Sequence, residues 1–151
     1  MVVALSQFTW TFPGGKPKQE VTEVVLVNNV QKIIDITVPT GKIWILLRTK
    51  IVNCDDVGRN ITVSKYKEAG KTNLIASFIR GIAVGASAVV YIPNPYVQAT
   101  IASAIPDTIL QNPEIFVAGN TLSITWAAGG ASTGATDADG LVIEYLEIDA
   151  P

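Results

Sequence analysis

Short stretches in which apolar and polar residues alternate recur along most of this chain, a pattern typical of β-strands with one buried face. The clearest case is 121–126, where Leu122, Ile124 and Trp126 fall on one face and are predicted to point into the core. Between the stretches lie Pro, Gly and Asn clusters that favour turns. The pattern predicts strands over 24–27, 33–38, 43–52, 61–67, 74–79, 88–92, 114–117, 121–126 and 141–148.

The stretch 43–52 is the longest of these predicted strands, and both of its faces are apolar near its start, which favours a central position in a sheet. Strict alternation divides its side chains between two faces. One face is predicted to carry Ile43, Ile45, Leu47 and Ile51, and the other Trp44, Leu46, Arg48 and Lys50.

Two stretches are harder to assign from the pattern. Apolar residues recur every four positions over 97–110, which fits an amphipathic helix, whereas Pro106 and the β-branched content favour a loop or an irregular strand. Residues 127–140 are rich in Gly, Ala, Ser and Thr and are predicted to form a flexible loop before the closing strand.

Composition supports an all-β chain. The 151 residues include 17 valines and 18 isoleucines against 9 leucines, and β-branched side chains pack well on a pleated sheet. With 48% apolar and only 16% charged residues, a disordered acidic or basic chain is excluded. About eight to ten short strands without a convincing helix predict a single β-sandwich or jelly-roll-like domain over residues 21–151.

Residues 1–20 differ from the rest and are predicted to form an extended N-terminal arm. Large apolar side chains are concentrated there, and a Pro- and Gly-rich stretch at 13–18 then ends regular structure. So apolar a segment should be covered, either as an edge strand on its own domain or by docking on a neighbouring subunit. Its large apolar residues, the candidate partner contacts, are Leu5, Phe8, Trp10 and Phe12.

Missing residue types exclude most catalytic chemistry. The chain has no histidine, and its one cysteine, Cys54, allows neither an internal disulfide nor a Cys-rich zinc site. The net charge of −2 means that the chain lacks the excess positive charge that favours binding to nucleic acid or an anionic membrane. The uncharged stretch 81–106 is interrupted by Pro and Gly and is interpreted as two strands and a turn rather than a membrane span. We therefore expect no enzyme activity, cofactor, nucleic acid or membrane partner.

The remaining polar residues offer weak alternatives. Glu144 and Glu147 are three positions apart on one predicted strand, so they should point to opposite faces and cannot form a catalytic pair. Asp137 and Asp139 precede Gly140 and could begin a calcium site, although Asp in turns usually bonds its own backbone. We expect no metal, and scattered lysines should form a solvated face: Lys16, Lys18, Lys65, Lys67 and Lys71.

Tryptophans give a further alternative, because their rings can stack on sugars. Trp126 shares a face with Leu122 and is more simply a core residue. Trp44 either fills the second face of a central strand or belongs to a carbohydrate-binding module. Trp10, in the arm, is the better candidate for contact with another chain.

Two stretches together resemble small β-sandwich virion proteins of tailed phages, including head decoration (cement) proteins. One is Val38–Leu46 with the loop Asp56–Asn60, and the other is Gly119–Trp126 leading to Gly140–Tyr145. The similarity spans about residues 36 to 148, and its turn motifs are common in β-sandwiches. No catalytic or cofactor residue carries over from such proteins.

The resemblance implies a homotrimer seated on the capsid surface of a virion after synthesis in the host cytoplasm. Its partners would be the major capsid protein and copies of itself, bridged without covalent bonds. Two other functions remain open: a minor capsid or tail/neck component, and a carbohydrate-binding β-sandwich module.

Overall fold

The structure is a computed structural model that describes residues 2–5, 8–11, 14–92, 114–129 and 133–151, with the backbone alone over the first two ranges. Eleven strands and no helix occur in these ranges. The strands are β1 (Val2–Leu5), β2 (Phe8–Thr11), β3 (Lys16–Leu26), β4 (Lys32–Thr37), β5 (Lys42–Val52), β6 (Arg59–Tyr66), β7 (Leu74–Val84), β8 (Val89–Ile92), β9 (Glu114–Val117), β10 (Thr121–Trp126) and β11 (Ala135–Asp149).

Antiparallel pairing assembles most of these strands into two sheets. One sheet has four strands in the order β4-β10-β6-β7. The other begins with β3-β11-β5, and β8 and β9 lie end to end along the far edge of β5, where Ile92 pairs with Thr49 and Glu114 with Leu46. β1 and β2 form a separate two-stranded hairpin. The predicted all-β class is confirmed, and the two sheets fit a β-sandwich.

The core lies between the two sheets. Trp126 is fully buried, and its Nε1 donates to the carbonyl oxygen of Val52 at 3.0 Å, so the indole satisfies its one donor inside the core. Leu122 and Ile124 are also buried, as predicted from their alternation with polar residues. The largest fully buried apolar side chains of this core are Trp126, Phe78, Leu26, Ile51, Ile61, Ile124, Leu141 and Ile143.

The prediction for the faces of β5 was wrong, because the strand contains a β-bulge. Arg48 pairs with Glu144 and Leu46 pairs with Tyr145, so Leu47 has no partner of its own in β11. An extra residue reverses the alternation of the strand. Trp44 and Leu46 therefore join Ile51 in the core, and Ile45 lies on the opposite face. The longest strand is also not β5 but β11, with 15 residues.

Three strand boundaries differ clearly from those predicted. β7 continues through Gly81 to Val84, beyond the predicted strand 74–79, and the other two differences are at the starts of β3 and β11. β3 begins at Lys16, so residues 16–20, which the sequence pattern assigned to the arm, pair with β11. Pro17 is tolerated there because β3 is an edge strand. β11 begins at Ala135, within the predicted loop 127–140, and a register shift between Asp137 and Leu141 accommodates its polar start.

Some predictions fall on parts of the chain that the structure does not describe. They include the helix or loop over 97–110, the candidate contact Phe12 and the second half of the uncharged stretch 81–106. Within the described ranges, no helix is long and apolar enough to span a membrane.

Candidate interaction surface

The five-stranded sheet carries an apolar cluster on its outer face, away from the sandwich core. Strand pairing fixes this face: Ile45 pairs with Leu146 on one side and with Ile115 on the other, while the neighbouring Trp44 and Phe116 belong to the core. Side chains of paired residues share a face. We call this cluster the outer patch: Ile43, Ile45, Ile115, Val117, Leu146 and Ile148.

Exposure varies sharply within the outer patch. At its edge on β9, Ile115 and Val117 are 50% and 49% exposed. At its centre, Ile45 and Leu146 are 2% and 0% exposed, although neither belongs to the core cluster between the sheets. Large apolar side chains half open to water mark contact surfaces when they are clustered.

Beside the outer patch, at the edge formed by β3, lies an open groove of about 350 Å³. Leu47, the bulge residue of β5, lines it, so the irregularity that reverses the strand also shapes the outer surface. The lining residues are Pro17, Lys18, Gln19, Leu47, Glu144 and Tyr145.

A polar border separates the outer patch from the other half of the same face. Arg48 Nε lies 2.9 Å from Glu144 Oε2, and the guanidinium is 5.7 Å from the ring centre of Tyr91. Both charged side chains are partly exposed, so this pair contributes little to stability and instead limits the apolar area.

The hairpin β1–β2 has one wholly apolar face. Leu5 pairs with Phe8 and Val3 with Trp10, so these four residues share a face. The opposite face carries Val2, Ala4, Thr9 and Thr11. The hairpin thus places three of the four predicted contact residues, Leu5, Phe8 and Trp10, on one surface.

The aromatic pair Trp44 and Tyr145 is closed to ligands. Their rings stack with centroids 4.1 Å apart, and they are only 7% and 4% exposed. Trp44 Nε1 donates to Glu147 Oε2 at 3.1 Å, and the Tyr145 hydroxyl donates to Glu20 Oε1 at 3.0 Å. Trp44 therefore fills the inner face of β5, the first of its two predicted roles, and offers no ring face to a sugar.

The acidic candidates are dispersed. Glu147 bonds Trp44 on the inner face and Glu144 pairs with Arg48 on the outer face, which confirms that the two glutamates point apart. Asp137 Oδ1 accepts the backbone N–H of Asp139 at 2.8 Å, a local turn bond. Where the structure is described, no cluster of three or more Cys, Asp or Glu side chains could hold a metal ion.

Two further sequence candidates have structural roles. Cys54 is half-buried, its thiol lies within hydrogen-bonding distance of the carbonyl oxygens of Val24 and Ala135, and burial raises its pKa. Lys65 does not belong to a solvated face: it is 7% exposed, and its Nζ lies 2.7 Å from Glu114 Oε1. The alternation along the strand indicates this burial, because Lys65 is two and four positions from the core residues Val63 and Ile61 and therefore shares their face.

Arg59 was not singled out by the sequence pattern, although it is among the largest fully buried side chains. It pairs with Asp55 in the loop before β6, and no local pattern distinguishes this arginine from a surface one.

No protein-family model, curated protein sequence or solved structure matches this chain.

Proposed function

We propose that this chain is a structural protein of a virus particle, a head decoration or cement protein that stabilises the capsid by bridging its subunits without covalent bonds. The observation that carries the proposal is that one small domain has two separate apolar surfaces that could contact other proteins. One is the apolar face of the hairpin, and the other is the half-exposed edge of the outer patch. The resemblance of about residues 36 to 148 to small β-sandwich virion proteins of tailed phages also supports the proposal.

The physical argument is one of multivalency. A small β-domain gains modest affinity from each apolar contact, but several linked contacts act at high effective concentration and combine into tight binding. A homotrimer seated on the major capsid protein would multiply these contacts threefold. Assembly would also cover sheet edges such as β3, which otherwise invite unwanted pairing.

The two alternatives differ in how well the observations support them. A minor capsid or tail/neck component would use the same contact elements, and the position of the protein on particles in electron micrographs separates the two. A carbohydrate-binding module is less well supported, because Trp44 is stacked on Tyr145 and bonded to Glu147.

The first experiment measures binding to purified capsid shells of the virus that encodes the chain. Deletion of residues 1–15 removes the hairpin and ends just before β3, so the sandwich should remain folded. We expect strongly reduced occupancy of shells by the deletion variant. Unchanged occupancy, with the fold verified by circular dichroism and urea unfolding, would contradict the proposal.

A matched pair of variants tests the same point without shortening the chain. The variant F8S/W10S removes two large side chains from the apolar face of the hairpin, and T9S/T11S changes the opposite face of the same strand. Only the first should lose binding to shells. The native mass in solution provides a separate check, since the proposal expects a trimer.

A further inference from the structure

We infer that in the free protein the hairpin β1–β2 packs its apolar face onto the outer patch of its own five-stranded sheet, adding a third layer to the sandwich. The inference concerns the free chain and does not depend on the proposed function. It names an intramolecular docking surface, the outer patch, and its occupant, residues 2–11.

The burial of the outer patch is the first observation. Ile45 and Leu146 face away from the other sheet, yet they are 2% and 0% exposed within a single chain. Their neighbours on the same face lie beside them in the sheet. Side chains of one sheet face stand roughly perpendicular to it, so neighbours on the same face flank Ile45 and Leu146 more than they lie over them. Exposure this low points to a further layer of this chain over the patch.

The chemistry of the hairpin is the second observation. An isolated two-stranded hairpin is marginally stable at best in water and needs a surface to pack against. Pairing places Val3, Leu5, Phe8 and Trp10 on one face. An apolar face of this kind is complementary to a patch of isoleucine, leucine and valine.

The tether is the third observation. Only residues 12–15 join the end of β2 at Thr11 to the start of β3 at Lys16, a reach of about 17 Å when extended. Lys16 pairs with Glu147, between the patch residues Leu146 and Ile148 along β11. The patch strand β5 is two strand spacings from β3, or about 10 Å. Gly14 has a φ of +75° within a turn, which helps the chain to reverse there.

The short tether also favours the chain's own patch over that of a second copy. A linker of a few residues gives the hairpin a high effective concentration at its own sheet, which a separate molecule in dilute solution does not match. On a shell, the same hairpin face would have to leave the outer patch before it contacts another protein.

Tryptophan fluorescence tests this inference on the full-length free protein. Trp44 and Trp126 are 7% and 0% exposed, so the difference in acrylamide quenching between the parent and W10F reports on Trp10. We expect Trp10 to be protected in the parent at every protein concentration. An accessible Trp10, or protection that is lost on dilution, would overturn the inference, the second result by indicating a second copy.

Substitutions in the outer patch locate the docking site. Ile148→Glu places a charge in the patch and should raise the quenching constant of Trp10 several-fold. Val25→Glu is the matched control, because Val25 lies on the outer face of the same sheet but outside the patch. Ile115→Glu, at a half-exposed position, replaces Ile148→Glu if that variant does not fold. No change in quenching with a folded patch variant would overturn the inference.

Deletion of residues 1–13 tests whether the hairpin is the cover. Removing it should uncover the outer patch, and binding of the dye ANS should increase several-fold over the full chain. If the truncated protein is folded and binds no more dye, another segment covers the patch and the inference is wrong.

Discussion

Arg59 and Asp55 form a fully buried ion pair, with Arg59 Nε 2.6 Å from Asp55 Oδ2. The remaining guanidinium nitrogens donate to the carbonyl oxygens of Val27 and Val30 in the β3–β4 turn and of Ala127 after β10. One side chain thereby joins three chain segments at one end of the sandwich. The pair is stable in the interior because its hydrogen-bonding capacity is used as well as its charge.

We predict that Arg59→Met lowers the free energy of unfolding by about 3–5 kcal/mol, because it leaves the Asp55 carboxylate buried without its cation. Urea unfolding at neutral pH measures the effect. The double variant D55N/R59M should recover part of the loss, since it also removes the buried negative charge.

Arg48→Met is the control, because Arg48 belongs to the partly exposed pair with Glu144. It should change the free energy of unfolding by no more than about 1 kcal/mol. If Arg59→Met costs no more than Arg48→Met, the buried pair does not have the structural role assigned to it.

Gly140 permits β11 to pass close to β3. A Cβ atom at this position would lie 2.6 Å from Val24 Cβ and 3.1 Å from the carbonyl oxygen of Asp137. Since Val24 is a fully buried core residue, the strands would have to move apart. We predict that Gly140→Ala costs about 1–3 kcal/mol in thermal or urea unfolding.

Gly70→Ala provides the control for Gly140, because the nearest atom to a Cβ there is Glu68 Cγ at 4.0 Å. This surface substitution should lie within about 0.5 kcal/mol of the parent. Equal stabilities of the two alanine variants would show that the close approach at Gly140 is relieved without cost.

Tyr145 should make stability depend on pH in alkaline solution. Burial, followed by the hydrogen bond to the Glu20 carboxylate, raises the pKa of Tyr145 above its usual value near 10. The unfolded chain therefore loses this proton first as pH rises. The contribution to stability is complete below pH 10 and is lost above it, at up to about 1.4 kcal/mol per pH unit.

Urea unfolding at a series of pH values up to about 11 measures this dependence, and ultraviolet difference spectra follow the phenolate directly. Glu20→Gln should lower the pKa of Tyr145 and weaken the dependence without abolishing it, because burial is the larger cause. Glu23→Gln, at an exposed position on the same strand, should leave it unchanged. A phenolate signal from Tyr145 near pH 10 in the folded protein would contradict the prediction.

Strand positions were predictable where apolar and polar residues alternate, as in β10, although its polar residues Thr121 and Ser123 are buried as well. Ile124 and Trp126 are fully buried, and their alternation with polar residues identified them because it is a local property. The same rule applied to Ile61 and Val63, and it would have placed Lys65 in the interior as well. The expectation of a solvated lysine overrode the pattern, although Glu114 neutralises this charge from the other sheet.

The faces of β5 were not predictable in the same way. Leu47 is a bulge residue because Arg48 pairs with Glu144 and Leu46 pairs with Tyr145, which leaves Leu47 without a partner. Those partners in β11 are about a hundred residues away in the chain. A one-residue shift changes which face every following side chain occupies. Strict alternation places Ile45 on the same face as the core residue Ile51. The bulge instead puts Ile45 on the outer face, where it belongs to the outer patch.

The amino-acid sequence by itself determined the all-β class, most of the strands and the absence of histidine and of paired cysteines, because these follow from local periodicity and composition. The tertiary structure decided the bulge at Leu47, the buried pair of Arg59 with Asp55 and the closure of Trp44 against Tyr145. Each of these depends on which distant residues become neighbours. That choice is made by the packing of the whole sandwich and is not encoded within any one short stretch of chain.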